Sequence, residues 1–482
     1  MLTTSLPAAR LSIDYTFFMD LPQDPSPDCA SKKTLRIALL GYRSDPAVGG
    51  QGIYLTQLAN ALSLLGHVVT VFSGPPYPDK LIPGVDLVKV PSLDLYAMPN
   101  SFTALRLSHL ASWTDLREWL SMQSGGFGEP LSFSKRVAKI LSSPLYRDSF
   151  DIVHDNQCLG FGLKDLVAFY KSRNISTSLS ATIHHPIHKD RAIAVQAEKG
   201  ALRKWLKRRW YHFLDMQEKV YPFIEKIITV SSSSKQDIRK HFGEHKSEIE
   251  VVPCGVDTTI FYAKTDHAFH ERLEKQDDSS TIRLICVSSS DQALKGLRFL
   301  VEAMAELEQL QPKRFRLTLV GRLSETGEVY KLAKNRKVLS QIDQLKNLQA
   351  SQVAEAFRQS DIAVVPSLYE GFGLPVIEAM ACGVPLITTN GGALAEVAGD
   401  AALVIEKGSV EALVTSIKRL SADTTLQRTL RRRGLERVDQ HFTWRSVATR
   451  FTETLIDQSK KINPAQTAST SAIDDVLPRA AG

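Results

Sequence analysis

The feature that most constrains this chain is an alternation, run through twice, of short β-branched segments and longer amphipathic ones. The first series has apolar runs at 35–40 (LRIALL), 68–72, 85–90, 151–154, 178–183 and 226–230. After the first run, Leu55, Leu58, Ala59, Leu62 and Leu65 recur at the three- and four-residue spacing of a helix face across 53–65, and Gly66 follows as a stop. The second series has runs at 282–287, 315–320, 361–365 and 384–388, separated by helical patterns at 297–310, 352–358, 376–381 and 410–420. Strands that alternate with helices pair in parallel and are covered on both faces. The pattern therefore predicts an α/β chain of two doubly wound domains, joined near residues 253–260, with a ligand cleft between the carboxyl ends of their sheets.

Composition narrows the class. With 482 residues, 43% hydrophobic and 23% charged, wholesale disorder is excluded. Lys and Arg exceed Asp and Glu by 59 to 52, a net charge of +7. That is too thin an excess to mark a nucleic-acid surface. Cys29, Cys158, Cys254, Cys286 and Cys382 are far apart and form no C-x-x-C pair, which suits reduced thiols rather than a disulfide framework or a zinc site. No apolar run reaches the roughly 18–20 residues of a membrane span. Asp14, Asp20 and Asp24 interrupt any leader-like segment, so a cytoplasmic protein is expected. Residues 1–33 and 461–482, rich in small and polar residues, read as tails. The stretch 93–150, with Trp113, Trp119 and Gly125-Gly126-Phe127-Gly128, breaks the alternation and reads as a largely helical insertion near the cleft.

The densest signal runs from Pro366 to Gly383 (PSLYEGFGLPVIEAMACG), directly after a buried strand. Pro375 suits a first helical turn and Gly383 a helix end. Gly371, Phe372, Gly373 and Leu374 then offer backbone N–H groups at a helix N-terminus, a natural seat for a phosphate. Glu378 falls one turn inside, where a carboxylate can accept hydrogen bonds from vicinal sugar hydroxyls. Glu370 lies in the preceding loop, within reach of whatever the phosphate carries.

Glu370 to Glu378, continued by Ala379-Met380-Ala381-Cys382-Gly383-Val384-Pro385 and Gly391-Gly392, resembles the signature of glycosyltransferase family 4, the glycosyl transferases group 1. The resemblance extends from about residue 35 to about 456. It implies the GT-B fold: two Rossmann-like domains facing a central cleft, an acceptor-binding one over 34–254 and a nucleotide-sugar-binding one over 255–440. A C-terminal helix, 441–460, is expected to pack back on the first domain. It further implies a retaining enzyme that moves a sugar from a UDP- or GDP-linked donor to a hydroxyl of a glycan, glycolipid or small molecule, forming an α-glycosidic bond. On this resemblance Gly50, within Gly49-Gly50-Gln51-Gly52, lines the cleft near the donor phosphates. A dinucleotide fingerprint fails there, because Leu55 stands at its third glycine and Ser73, not an acid, ends the second strand.

Lys295, before Gly296, matches a family cation that faces the diphosphate. The position of a second cation holds Ser289 or a neighbouring serine, and Arg322 is a candidate substitute. His184, after the strand 181–183, matches the cleft histidine that touches the donor sugar, so His184 and Glu370 are the expected catalytic residues. His154 and Arg191 are the expected acceptor contacts. No D-x-D pair occurs, so neither a metal nor another cofactor is expected. Base selectivity is expected in loops around 323–349.

The segment 199–210 (KGALRKWLKRRW) sets six cations beside Trp205 and Trp210 at helical spacing. It reads either as a helix lying on an anionic bilayer surface or as a solvated helix whose tryptophans pack on its own domain. The run 431–433 reads as solvated. The rival functions are a phosphorylase or epimerase of the same architecture, and a nucleotide-sugar-binding or scaffold protein without turnover. The sequence does not fix the oligomeric state.

Overall fold

A computed structural model describes residues 34–44, 50–95, 112–198, 200–274, 280–288 and 292–462. The N-terminal lobe runs β1 (Arg36–Gly41), α1 (Gly50–Leu64), β2 (Val68–Ser73), β3 (Val85–Lys89), α2 (Trp113–Gln123), α3 (Glu129–Leu141), β4 (Ile152–Asn156), α4 (Phe161–Ser172) and β5 (Ser178–Ile183). It continues through α5 (His188–Ala197), α6 (Ala201–Trp210), α7 (Phe213–Val220), β6 (Lys226–Thr229), α8 (Ser232–Phe242) and β7 (Glu250–Val251). The C-terminal lobe runs α9 (Asp266–Glu274), β8 (Ile282–Ser288), α10 (Leu297–Leu310), β9 (Phe315–Gly321), α11 (Glu328–Asn335), β10 (Ile342–Leu345), α12 (Ala350–Arg358), β11 (Ile362–Val365) and α13 (Leu374–Ala381). Then follow β12 (Leu386–Thr389), α14 (Leu394–Ala398), β13 (Ala402–Ile405), α15 (Val410–Ala422), α16 (Thr424–His441) and α17 (Trp444–Ile462).

The strands form two sheets, of seven and six strands, ordered β3-β2-β1-β4-β5-β6-β7 and β10-β9-β8-β11-β12-β13. Every pairing is parallel. Two Rossmann-like lobes are thus in place. β1 and β11, inside their sheets, read as apolar runs because both faces are covered. In β1, Ile37 and Leu39 join Leu55, Leu58 and Leu62 of α1, whereas Ala38 and Leu40 join Phe133 and Val137 of α3 and Leu163 of α4.

Three strands escape a reading by apolar runs: β7, β10 and β13. Each lies at or next to a sheet edge and is only partly buried. β7 (EV) and β10 (IDQL) carry charged or polar residues, whereas β13 (ALVI) is apolar but only four residues long. The span 323–349, expected as loops, accordingly contains α11 and β10. The described part of 93–150 is helical beyond residue 112, in α2 and α3; residues 96–111 lie outside the described set, as do the tails at 1–33 and 463–482.

The last helix ties the lobes together. α17 starts by the C-terminal lobe's α16 and lies against α1 of the N-terminal lobe. Phe451 is fully buried and meets the His154 ring edge-on at 4.8 Å between centroids. His67 Nε2 lies 3.1 Å from Thr452 Oγ1, while the Leu35 amide donates to His67 Nδ1 at 3.3 Å. Trp444 packs on Tyr54 at 5.7 Å, and a Cβ on Gly255 would sit 2.6 Å from the Trp444 ring. One continuous core therefore contains Leu39 and Leu58, Val376 and Met380 of α13, and Phe451 and Leu455 of α17. Phe451→Ala should cost about 3–5 kcal/mol, the range for emptying a buried aromatic site. Denaturant unfolding checks this, and a midpoint unchanged from wild type would show that α17 does not support the lobes.

Candidate active site

The site is built where the carboxyl ends of the two sheets face each other. On the C-terminal side, β11 ends at Val365 and the chain loops through Glu370 and Gly371 into α13. Gly373, at φ 100°, is the residue before the helix, and no side chain caps it. A Cβ there would lie 2.6 Å from Leu394 Cδ2, so glycine is required twice over. The amides of Gly371, Phe372, Gly373 and Leu374 find no acceptor among the described residues, and Pro375 has none to offer. Four unsatisfied N–H groups at a helix N-terminus form an anion seat. Glu378, half-buried one turn on, takes no hydrogen bond from the described residues, and burial pushes its carboxyl up to about 7. At the other end of α13, Arg431 is buried rather than solvated. It donates to the Gly383 carbonyl at 3.1 Å and to Asp266 at 2.9 Å, a cation against the negative end of the helix.

Lys295 closes a single 3-10 turn, Ala293–Lys295, and Gly296 follows at φ 67°. A Cβ on Gly296 would come 2.0 Å from the Pro366 carbonyl oxygen, so the turn is pressed against the loop that carries Glu370. Lys295 Nζ donates to Glu370 Oε1 at 2.8 Å, and Ser367 Oγ donates to the same oxygen at 2.8 Å. The two residues assigned by sequence to diphosphate and sugar are thus paired with each other. Glu370 Oε2 takes no hydrogen bond from the described residues. Ser289 lies outside the described residues. Arg322 leaves β9 one residue after Gly321, which pairs with Ser288 at the end of β8, and its side chain is exposed.

On the N-terminal side His184 follows β5 directly. The Gln51 carbonyl accepts from Asn156 Nδ2 at 3.1 Å, which turns Asn156 Oδ1 towards His184 Nε2 at 2.8 Å. Nε2 is therefore the protonated nitrogen, and Nδ1 carries the lone pair. Burial, with His185 alongside, pulls the ring's titration down to about 3, so it is neutral at ordinary pH. Gln157 clamps the dipeptide, its Oε1 accepting from the His184 amide at 2.7 Å and its Nε2 donating to the His185 carbonyl at 2.8 Å. Gly50, expected in a loop, instead opens α1. A Cβ there would lie 3.6 Å from Leu374 Cδ1, so two helix N-termini share one gap.

The lobes touch beside this gap. A Cβ on Gly371 would lie 3.0 Å from His185 Cβ and 3.4 Å from the His184 carbonyl oxygen. The Gly371 carbonyl accepts from Ser231 Oγ at 2.7 Å and Ser234 Oγ at 3.0 Å. Glu396 accepts from the Ser232 and Ser233 amides at the start of α8. Lys189 Nζ stands 3.9 Å from the Tyr369 ring centre and donates to Asp237 Oδ2 at 2.6 Å, and Tyr369 Oη donates to that same oxygen. Sequence reading singled out none of Ser231, Ser234, Asp237, Lys189, Tyr369 or Glu396. No motif marks them, since the partners just named lie 48 or more residues away. Asn156 and Gln157 carried a weak signal, as polar residues at a strand end.

Two acceptor-side expectations come out differently. His154 is not at a strand end but in the middle of β4, fully buried. Its ring nitrogens lie 2.9 Å from Ser180 Oγ and 2.9 Å from Thr182 Oγ1, and burial draws its titration down to about 3. It has no polar atom left for an acceptor, so that role is withdrawn. Arg191, in α5, is half-buried and 3.6 Å from Asp215, and it lines a cavity on the N-terminal lobe. Of the basic segment, Lys199 lies outside the described residues, and α6 buries none of its side chains. Its tryptophans divide: Trp210 stacks on Phe127 at 5.1 Å, while Trp205 is 56% exposed.

Among the described residues no three His, Cys, Asp or Glu side chains are grouped to hold a metal ion. No described helix is long and apolar enough to cross a membrane.

This arrangement matches known proteins. The family Glyco_transf_4, Glycosyltransferase Family 4, matches residues 48–260, and Glycosyl transferases group 1 matches residues 269–437. An MMP alpha-(1->4)-mannosyltransferase from Mycolicibacterium hassiacum is 39% identical over 417 residues, 86% of this chain and 96% of that protein. A glycogen synthase from Mycobacterium tuberculosis is 24% identical over 428 residues, covering 86% of this chain and 93% of that one. Among solved structures, sucrose-phosphate synthase from Thermosynechococcus elongatus superposes with a TM-score of 0.62 at 22% identity, over 88% of this chain and 98% of that chain. With the fold, both halves of the family signature and a near full-length relative in agreement, the chain belongs to glycosyltransferase family 4 and is a glycosyltransferase of the GT-B fold.

Proposed function

We propose that this enzyme transfers a hexosyl group, with retention of configuration, from a nucleotide diphosphate sugar to an acceptor hydroxyl presented by the N-terminal lobe. The observation that carries the reading is the row of unpaired amides at 371–374 beside Lys295, one helical turn from the unpaired carboxylate of Glu378. Amides and helix dipole suit the diphosphate; Glu378 suits the ribose hydroxyls. The relative named as a mannosyltransferase favours mannose as the sugar, with UDP or GDP as its carrier.

In this mechanism the diphosphate departs towards the amides of 371–374 and the N-termini of α13 and α1, with Lys295 as the neighbouring cation. Fixed dipoles already aimed at the departing charge need no reorganisation during the reaction. That set can meet the charge without a divalent ion. The departing phosphate oxygen can take the proton of the incoming hydroxyl on the same face, which is how retention arises in this reading. His184, neutral and fixed by Asn156, offers Nδ1 to a hydroxyl of the transferred sugar. Glu370 Oε2 is available to another. The contribution of the chain is position and electrostatics.

Calorimetric binding of UDP-, GDP- and ADP-linked sugars, with and without EDTA, tests this reading. Selective binding of one nucleotide sugar that EDTA leaves unchanged is expected; loss of binding in EDTA would refute the metal-free site. Glu378→Ala should weaken that donor by roughly tenfold to a hundredfold, as for a lost hydrogen bond to a charged group. His184→Ala should keep the donor affinity and lower kcat by about a hundredfold, comparable to the loss of one stabilising polar contact in a transition state. Full turnover in His184→Ala would remove the role assigned to the ring. Phosphate-dependent cleavage or epimer formation in place of transfer would mark a different reaction on the same fold.

The buried carboxyl also sets a pH dependence. In the unliganded protein Glu378 keeps its proton until about pH 7, above the ordinary carboxylate range. Two vicinal ribose hydroxyls donate best to the two oxygens of the deprotonated form, so binding favours release of that proton. Donor affinity should therefore be full above about pH 7 and fall as pH drops below it, by up to about tenfold per unit. Titrating the affinity of a nucleotide sugar, whose diphosphate stays ionised throughout, reads this directly. Glu378→Gln should flatten the profile, and a flat wild-type profile would contradict the assignment.

A further inference from the structure

Away from the reaction centre the N-terminal lobe carries two adjoining cavities, of 370 and 550 Å³, which share Arg209, His212 and Asp215. The larger is lined on the α5 side by Arg191, Ala192 and Val195, and on the α6 side by Trp205 and Arg208. Its chemistry is mixed. The Asp215 carboxylate lies 3.6 Å from Arg191 Nη1 and 3.0 Å from His212 Nδ1. Trp205 remains 56% exposed over it, on a helix that buries nothing.

α5 joins this place to the reaction centre. Asp190 in its first turn lies 3.1 Å from His185 Nε2, and His185 is the residue beneath Gly371. Arg191, the next residue, already lines the cavity. From Asp190 to Val195 the helix advances roughly 8 Å at 1.5 Å per residue, the length of one or two saccharide units.

We propose that this pair of cavities holds the non-reacting units of a glycan acceptor whose reacting hydroxyl lies at His184, with Trp205 as the platform for a pyranose ring. The proposal rests on the transferase reading above and names its acceptor class. A pyranose offers an apolar C–H face, which a flat indole matches, and a rim of hydroxyls, which guanidinium and carboxylate groups bind in pairs. An anionic bilayer fits less well. Asp215 sets a negative charge within the cavity, and three of the basic groups already have other partners: Arg191 with Asp215, Lys207 with Glu198 at 3.5 Å, and Arg209 with Ser124 Oγ at 3.2 Å. With Asp215 set among Arg191, Arg208 and Arg209, the cavity offers a polyhydroxyl ligand both an acceptor and donors, whereas phosphate headgroups favour a surface of one sign.

The test uses the full chain with α-(1→4)-linked mannobiose and mannohexaose as acceptors. Each is followed by transfer kinetics and, independently of turnover, by calorimetric binding. In the wild type the hexaose should bind about tenfold more tightly than the biose, the scale of one good aromatic platform. Trp205→Ala should abolish that preference, raising the hexaose KM about tenfold while leaving the biose KM and kcat as they were. Trp205→Phe should restore part of it, and Asp215→Asn should weaken the hexaose alone. Equal affinity of the wild type for both lengths, or an unchanged hexaose KM in a folded Trp205→Ala, overturns the proposal. Binding of phosphatidylglycerol vesicles that Trp205→Ala abolishes, with glycan affinity untouched, would assign this face to a membrane instead. Loss of donor binding in the wild type would count against the transferase reading, while the length preference in direct glycan binding would still decide the groove.

Discussion

Gly371 is where the two lobes meet, and the geometry of the site follows from that contact. Parallel sheets bring all their carboxyl ends to one side, so two such sheets facing each other meet through strand-end loops. Here the meeting point lacks a side chain, and a Cβ would crowd His185 at 3.0 Å. The Gly371 carbonyl is held by hydroxyls from Ser231 and Ser234, and Glu396 reaches across to cap the first amides of α8. These bonds set the separation between the open amides of 371–374 and the His184 ring, and so the room left for a ligand.

Within that gap, charge is managed by burial and dipoles more than by counting cations. His184 is kept neutral and Glu378 is held near neutrality, both because burial disfavours their charged forms. Lys295, the strongest sequence candidate for the anion, is engaged by Glu370 at 2.8 Å. What faces the gap unpaired is backbone: amides with no intramolecular acceptor at a helix start that no side chain caps. Such groups are fixed by the fold and cannot swing away, which suits them to a developing negative charge.

Much of this was legible before any coordinates, for physical reasons that differ by element. β1 and β11, covered on both faces, are apolar runs and can be read, whereas β10 at the edge of its sheet is IDQL and carries no such run. The 371–378 motif was readable because backbone conformation dictates its residues: Gly373 is left-handed and Pro375 sits in the first helical turn. The two histidines show the limit. His154 and His184 both follow apolar runs, yet β4 runs two residues past His154 and buries it between Ser180, Thr182 and Phe451. β5 ends at Ile183, and His184 emerges at the carboxyl end of the sheet. Likewise Arg431, one of three consecutive arginines, is the one buried against the end of α13, which no local pattern announces.

The sequence by itself determined the two-lobed α/β architecture, the glycine turn before α13 and the family, because each is written in local periodicity or in residues that a backbone turn demands. Tertiary structure alone decided which histidine is available, that Lys295 and Glu370 are partners, and that Gly50 stands opposite Leu374. It also decided that α17 returns to α1 and merges the lobes into one core. Those are contacts between residues far apart in the chain, and no short-range pattern encodes a distance that only the packing of one lobe on the other brings about.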